Sequence, residues 1–189
     1  MPVLETLKLI ELKKKGLSDK EIETEVLVNN YLQKNRLSTV KRMFVEFKRR
    51  LNYMDSNFTE LITELPFDSK KHLLFANIME TYPMMLEFMI ETVLPKLQLL
   101  DFSLHDSDFF KFLYIKEEKA TKTLTDNTRK KLKQVTFKIL EQAGLIDNGK
   151  NKKIMKPILN YGIIRYYANN TEILKGLLMS DKEIITNIR

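Results

Sequence analysis

A mostly α-helical chain with a helix-turn-helix-like N-terminal part and a short C-terminal β-hairpin of winged-helix type is the fold class predicted by three observations. Apolar residues recur at three- and four-residue spacing from end to end, with cap residues ahead of them. Residues 125–144 read as one basic amphipathic helix closed by a glycine. Behind it, Asn148-Gly149 separates Leu145-Ile146 from a lysine-rich return, and Asn-Gly is the favoured pair where both central turn residues need positive φ.

Each element has a local reason. Val3, Leu4, Leu7 and Ile10 give the first helix its apolar stripe, and Pro2 suits its first turn. Lys13-Lys14-Lys15 and Gly16 place cations and a glycine stop at its negative end. Ser18 and Glu21 form a capping box for the second helix, in which hydroxyl and carboxylate each accept from a free amide; Ile22, Val26 and Leu27 then face inward. Ser38 caps a third helix that reaches residue 53. At about 100° per residue, Val40, Met43, Phe44, Phe47 and Leu51 share one arc, and Lys41, Arg42, Lys48 and Arg49 lie opposite. Three short helices, the last of them basic, resemble a helix-turn-helix arrangement.

Residues 58–65, 68–82, 83–100 and 106–118 read as further helices. Asp68 and Asp106 suit N-cap positions, and Pro83 fits a first turn. Pro95 predicts a kink or restart, because it removes an amide and collides with the preceding turn. Met79, Met84, Met85 and Met89 read as adaptable core. The helix after Thr125 buries Leu132, Val135, Ile139, Leu140 and Ala143, turns Lys130, Lys131, Gln134 and Lys138 outward, and ends at Gly144. Two short helices at 161–168 and 171–179, separated by Asn169-Asn170, precede a polar tail.

Charge is distributed unevenly. Residues 129–156 hold nine Lys/Arg against two Asp/Glu, a local excess equal to the +7 of the whole 189-residue chain. The first 54 residues are also basic and the middle is acidic. This divides the sequence into a basic three-helix segment (1–54), an acidic helical segment (55–124) and a basic helix with wing and terminal helices (125–189), all within one compact unit. Connections near 55–59 and 119–125 are the natural boundaries. Concentrated positive charge favours a polyanionic partner.

Several chemistries are disfavoured. Without cysteine there are no disulfides, thiolate metal sites or thiol nucleophiles, which fits a reducing cytoplasm. His72 and His105 lack metal-ligand spacing and read as helix-surface or cap residues. Gly16, Gly144, Gly149, Gly162 and Gly176 are too dispersed for a P-loop or dinucleotide fingerprint. Asp106 with Asp108 resembles a paired-acid site, but acids where a helix begins are explained by capping and the dipole. Neither an export signal nor a membrane span is legible, since Glu87, Glu91 and Lys96 interrupt the most apolar stretch. The expectation is a protein without catalytic activity, cofactor or metal.

Residues 126–146, with Asn127-Thr128-Arg129-Lys130-Lys131-Leu132 followed by Val135, Phe137, Ile139, Leu140, Ala143, Gly144 and Leu145, resemble the signature of the BrxA family. That family is the small helical component of bacterial BREX phage-exclusion systems. The order of the other elements is similar almost end to end. The resemblance implies a NusB-like helical fold, double-stranded DNA binding without catalysis, and other BREX proteins as partners.

Charge and helical geometry supply the contact residues: Arg129, Lys130, Lys131, Lys133 and Lys138 on the helix; Lys150, Lys152, Lys153 and Lys156 on the wing; and Lys41, Arg42, Lys48 and Arg49 on the third helix. They suit phosphates, and lysine, as a point charge, favours non-specific or shape-dependent binding. RNA binding by a NusB-like protein, or a protein scaffold without nucleic acid, are the alternatives.

Overall fold

The computed structural model describes residues 3–120 and 123–188. Pro2, expected in the first helical turn, and residues 121–122 of the expected 119–125 connection lie outside them. Two compact units result, one ending at Glu64 and the other beginning at Leu65.

The first unit holds α1 (Val3–Lys14), α2 (Asp19–Leu27), α3 (Leu37–Leu51) and α4 (Ser56–Glu64). Gly16 takes φ +81° behind α1, as a glycine stop requires. The capping box forms, with the Ser18 amide donating to Glu21 Oε2 at 2.7 Å and the Glu21 amide to Ser18 Oγ. The inner stripe of α1 is Thr6, Leu9, Ile10 and Leu12, whereas Leu4, expected inside, is exposed. Apolar periodicity missed this rotation because Thr6 occupies an inner position, where its hydroxyl accepts from the buried Arg50 guanidinium at 3.0 Å.

Helix α3 starts at Leu37 with Arg36 as N-cap, so Ser38 does not cap it; the Arg36 carbonyl already accepts from Thr39 and Val40. Residues 28–36 separate α2 from α3, a longer connection than the roughly three- to four-residue turn of a helix-turn-helix. Val40, Phe44, Phe47 and Leu51 are buried as expected.

The second unit runs through α5 (Phe67–Thr81), α6 (Pro83–Phe88), a π-helical turn (Met89–Val93), α7 (Leu94–Gln98), α8 (Asp106–Lys119), α9 (Asp126–Ala143), α10 (Tyr161–Tyr166), α11 (Thr171–Gly176) and α12 (Asp181–Ile188). Pro66 and His105, not Asp68 and Asp106, occupy the N-cap positions of α5 and α8. Pro95 is accommodated by the wide turn before it, where the Leu94 amide reaches back five residues to the Met89 carbonyl. Residues 181–188, read as a polar tail, form α12 behind a second capping box of Ser180 and Glu183.

Phe88 meets Phe109 and Phe112 edge-on at 5.2 Å, and Phe109 meets Phe137 at 6.0 Å, so α6, α8 and α9 share one aromatic core. Met79, Met85 and Met89 are buried, as core methionines should be. Helix α11 packs close to α5 and α6 through Gly176, where a Cβ would fall 2.5 Å from the Met79 sulfur. His72 is buried on α5 rather than surface-exposed, with Nδ1 unpaired.

The expected β-hairpin wing is corrected by the structure. Among the described residues there is no strand, only the isolated antiparallel bridges Ile146 to Ile154 and Ser103 to Lys153. Neither Asn148 nor Gly149 has positive φ; Lys152 does, at 54°. Asn148 Oδ1 accepts from the amides of Lys150 and Asn151, and its carbonyl from Lys152 at 2.9 Å. The asparagine therefore caps one helical turn instead of opening a two-residue reversal. The return arm pairs with residues 102–104 through Ile154 amide to Phe102 carbonyl at 2.7 Å and Leu104 amide to Lys152 carbonyl at 3.1 Å. It is a packed loop, not a free wing.

Candidate nucleic-acid interface

Helix α9 is the platform. Thr125 Oγ1 accepts from the Thr128 amide at its start, and Gly144 at φ +76° closes it. Thr136, Phe137, Leu140 and Ala143 are buried, while Val135, expected inside, is 57% exposed. Lys130, Lys131, Gln134 and Lys138 face solvent as the periodicity predicts. At about 100° per residue these four span one arc of the helix.

Carboxylates from distant segments then sort the cations. Glu117 on α8 grips Arg129 through Nη2 at 2.7 Å and Nε at 3.0 Å, and Asp126 takes Nη1 at 2.7 Å. The guanidinium also lies 4.9 Å over the Tyr114 ring. These hydrogen bonds hold the Glu117 carboxyl below the ordinary glutamate range and push the Arg129 guanidinium above its own. Its side chain is only 13% exposed, so Arg129 serves the α8–α9 junction and leaves the list of phosphate contacts.

Asp106, the first residue of α8, accepts a hydrogen bond from Lys133 at 2.5 Å and forms an ion pair with Lys152 at 3.1 Å. One carboxylate thus joins α8, α9 and the 147–153 loop. Burial pushes the Asp106 carboxyl up, but the Lys133 and Lys152 ammonium groups beside it outweigh this and hold the carboxyl below its ordinary value. Lys133 and Lys152 are half-buried, stacked near Phe110 and Phe137 at 5.6 Å. Together with Gln134, Lys138, Glu141 and Gly149 they line a shallow cleft of about 250 Å³. Lys138 pairs with Glu141 at 2.8 Å yet stays 63% exposed, and Lys156 pairs with Glu183 at 2.5 Å.

Lys130, Lys131, Lys150 and Lys153 are exposed and make no ion pair among the described residues. In the first unit Lys48 is held by Glu23 at 2.9 Å and Arg49 by Glu46 at 3.3 Å, whereas Lys41 and Arg42 are exposed and make no ion pair among the described residues. Sequence reasoning missed Asp106 as the acid that captures two expected contacts. No local signal could reveal it, since the partners lie 27 residues and more away. Among the described residues there is no His, Cys, Asp or Glu group that could hold a metal ion, and no helix long and apolar enough to cross a membrane.

The family profile described as BrxA matches residues 2–171. A Bacillus cereus (strain H3081.97) protein named BREX protein BrxA is 31% identical over 166 residues, covering 86% of this chain and 83% of its own. The crystal structure of an uncharacterized protein from Magnetospirillum magneticum superposes with a TM-score of 0.79 over 93% of this chain and 92% of the other; at 16% identity this likeness speaks for the fold alone.

Proposed function

The chain belongs to the BrxA family, and from that membership we propose that it is a non-enzymatic, cytoplasmic accessory protein of a BREX-type phage defence system that binds double-stranded DNA through phosphate contacts. The observation that carries the DNA reading is the set of unpaired, exposed cations on α9 and the adjoining loop: Lys130, Lys131, Lys150 and Lys153. Ammonium groups free of carboxylates keep their full attraction for phosphate, and a loop fixed to α9 through Asp106 holds two of them without a further ordering cost. The other BREX proteins are its working partners in this reading, and the NusB-like character of the bundle belongs to the same proposal.

Salt-titrated binding to a duplex of random sequence tests it. Neutralising four phosphates gives a slope of log K against log salt of about −3.6. A matched RNA duplex should compete poorly. Equal competition would replace DNA with RNA as the ligand, and absence of binding to either at low salt would leave a protein scaffold.

A further inference from the structure

The exposed face of α3 carries two aliphatic side chains among its cations, where α9 exposes one, Val135. Between Glu25 and Glu46 the sequence holds no acidic residue. Leu37 is 52% exposed and Val45 50% exposed on the same side of the helix as Lys41 and Arg42, which are also exposed. At about 100° per residue these four occupy an arc of about 140°. Immediately before the helix, Gln33 and Asn35 are exposed as well.

The loop that presents them is built. Leu32 is buried at 3%, Asn30 Oδ1 accepts from the Lys34 amide at 3.0 Å, and Lys34 reaches Glu5 of α1 at 2.5 Å. Gln33 itself sits at φ +53°. A side chain on such a fixed segment presents its amide without first being ordered.

Glu46, paired with Arg49, borders this arc, but within the arc Leu37 and Val45 stand among cations and no acid. A helix surface of cations and aliphatics, led in by side-chain amides, matches the major groove of duplex DNA, which has the width for an α-helix. There, phosphates flank base edges that offer hydrogen-bonding groups and the thymine C5-methyl. An acidic protein surface would satisfy Lys41 and Arg42 but gives the two carboxamides no patterned partner.

We propose that α3 enters the major groove and reads base edges, with Leu37 and Val45 against thymine methyls, Gln33 and Asn35 hydrogen-bonding bases, and Lys41 and Arg42 on the flanking phosphates. This rests on the duplex-binding reading and adds sequence preference to it.

The test uses the full chain. Wild type is first used to enrich binders from a random duplex pool, and the enriched duplex is then made with thymine or with uracil. Removing the methyl should weaken wild type about fourfold per contacted thymine. Leu37→Ser/Val45→Ser, both solvent-exposed changes, should bind the two duplexes alike while keeping the salt slope. Gln33→Ala/Asn35→Ala should lose the enriched preference. Duplex binding with no enrichment, or a methyl effect retained by the Leu37/Val45 variant, overturns the groove reading and leaves phosphate binding standing. Absence of any duplex binding by wild type overturns both.

Discussion

The two sides of α9 carry the same residue types and have opposite fates. On one side Arg129 and Lys133 are captured by Glu117 and Asp106, acids contributed by α8; on the other, Lys130 and Lys131 are exposed and make no ion pair among the described residues. The same division runs through the loop, where Lys152 turns to Asp106 while Lys150 and Lys153 stay outside. Local charge density is therefore a poor guide to surface potential. A cation counts toward an interface only if tertiary structure leaves it without a carboxylate, and a captured one serves the fold.

The hardest test of this contrast removes the free set. Lys130→Ala/Lys131→Ala/Lys150→Ala/Lys153→Ala should lower duplex affinity on the order of a thousandfold at 0.1 M salt and reduce the slope by about 3.6, since each lost contact removes about 0.9; what slope remains belongs to Lys41 and Arg42. Circular dichroism should be unchanged. Retained affinity with an intact slope would mean that the captured residues, not the free ones, make the contacts.

Next in size is Asp106→Asn, which releases Lys133 and Lys152 from their shared carboxylate. Two cations return to the surface, so affinity should rise by up to about tenfold per recruited phosphate and the slope should steepen, while the 147–153 loop exchanges its amide hydrogens faster. The complementary change, Lys133→Gln/Lys152→Gln, should shift affinity less than about twofold and leave the slope alone, its cost appearing in the melting temperature instead. A fall in slope for this variant would erase the distinction between the two sides.

How far the sequence foretold this is clear from individual residues. Thr125, Gly144, Ser18 with Glu21, and the outward arc of Lys130, Lys131, Gln134 and Lys138 were legible because each signal lies within one or two helical turns. The wing was not. Asn-Gly has two stable uses, and the choice between a positive-φ reversal and an Asn-capped helical turn depends on the side-chain oxygen of Asn148 and on pairing with residues 102–104, far away in sequence. Asp106 was misread as a plain cap for the same reason, its two lysines being supplied by later segments. Helix α12 was within reach, since Ser180 and Glu183 repeat the spacing of Ser18 and Glu21, but a short polar stretch hid its single buried anchor, Ile184.

The smallest predicted effect concerns Glu183, which links Lys156, an expected contact that is exposed but paired with a carboxylate, to the start of α12. Burial raises its carboxyl, but hydrogen bonds from Lys156 and from the Ser180 amide and hydroxyl outweigh this and lower it from 4.5 to about 2. A carboxyl depressed by folding stabilises the folded state fully above its unfolded value, and that contribution is lost as pH falls from about 4.5 toward 2. Melting temperature measured across that window should drop less steeply for Glu183→Gln than for wild type, with the two curves running parallel above pH 6. At neutral pH the same variant frees the Lys156 ammonium, which is 42% exposed even when paired, so duplex affinity should rise slightly. An unchanged acid limb would mean that Lys156 is already in solution with its charge available. It would then belong with Lys150 and Lys153 rather than with the captured set.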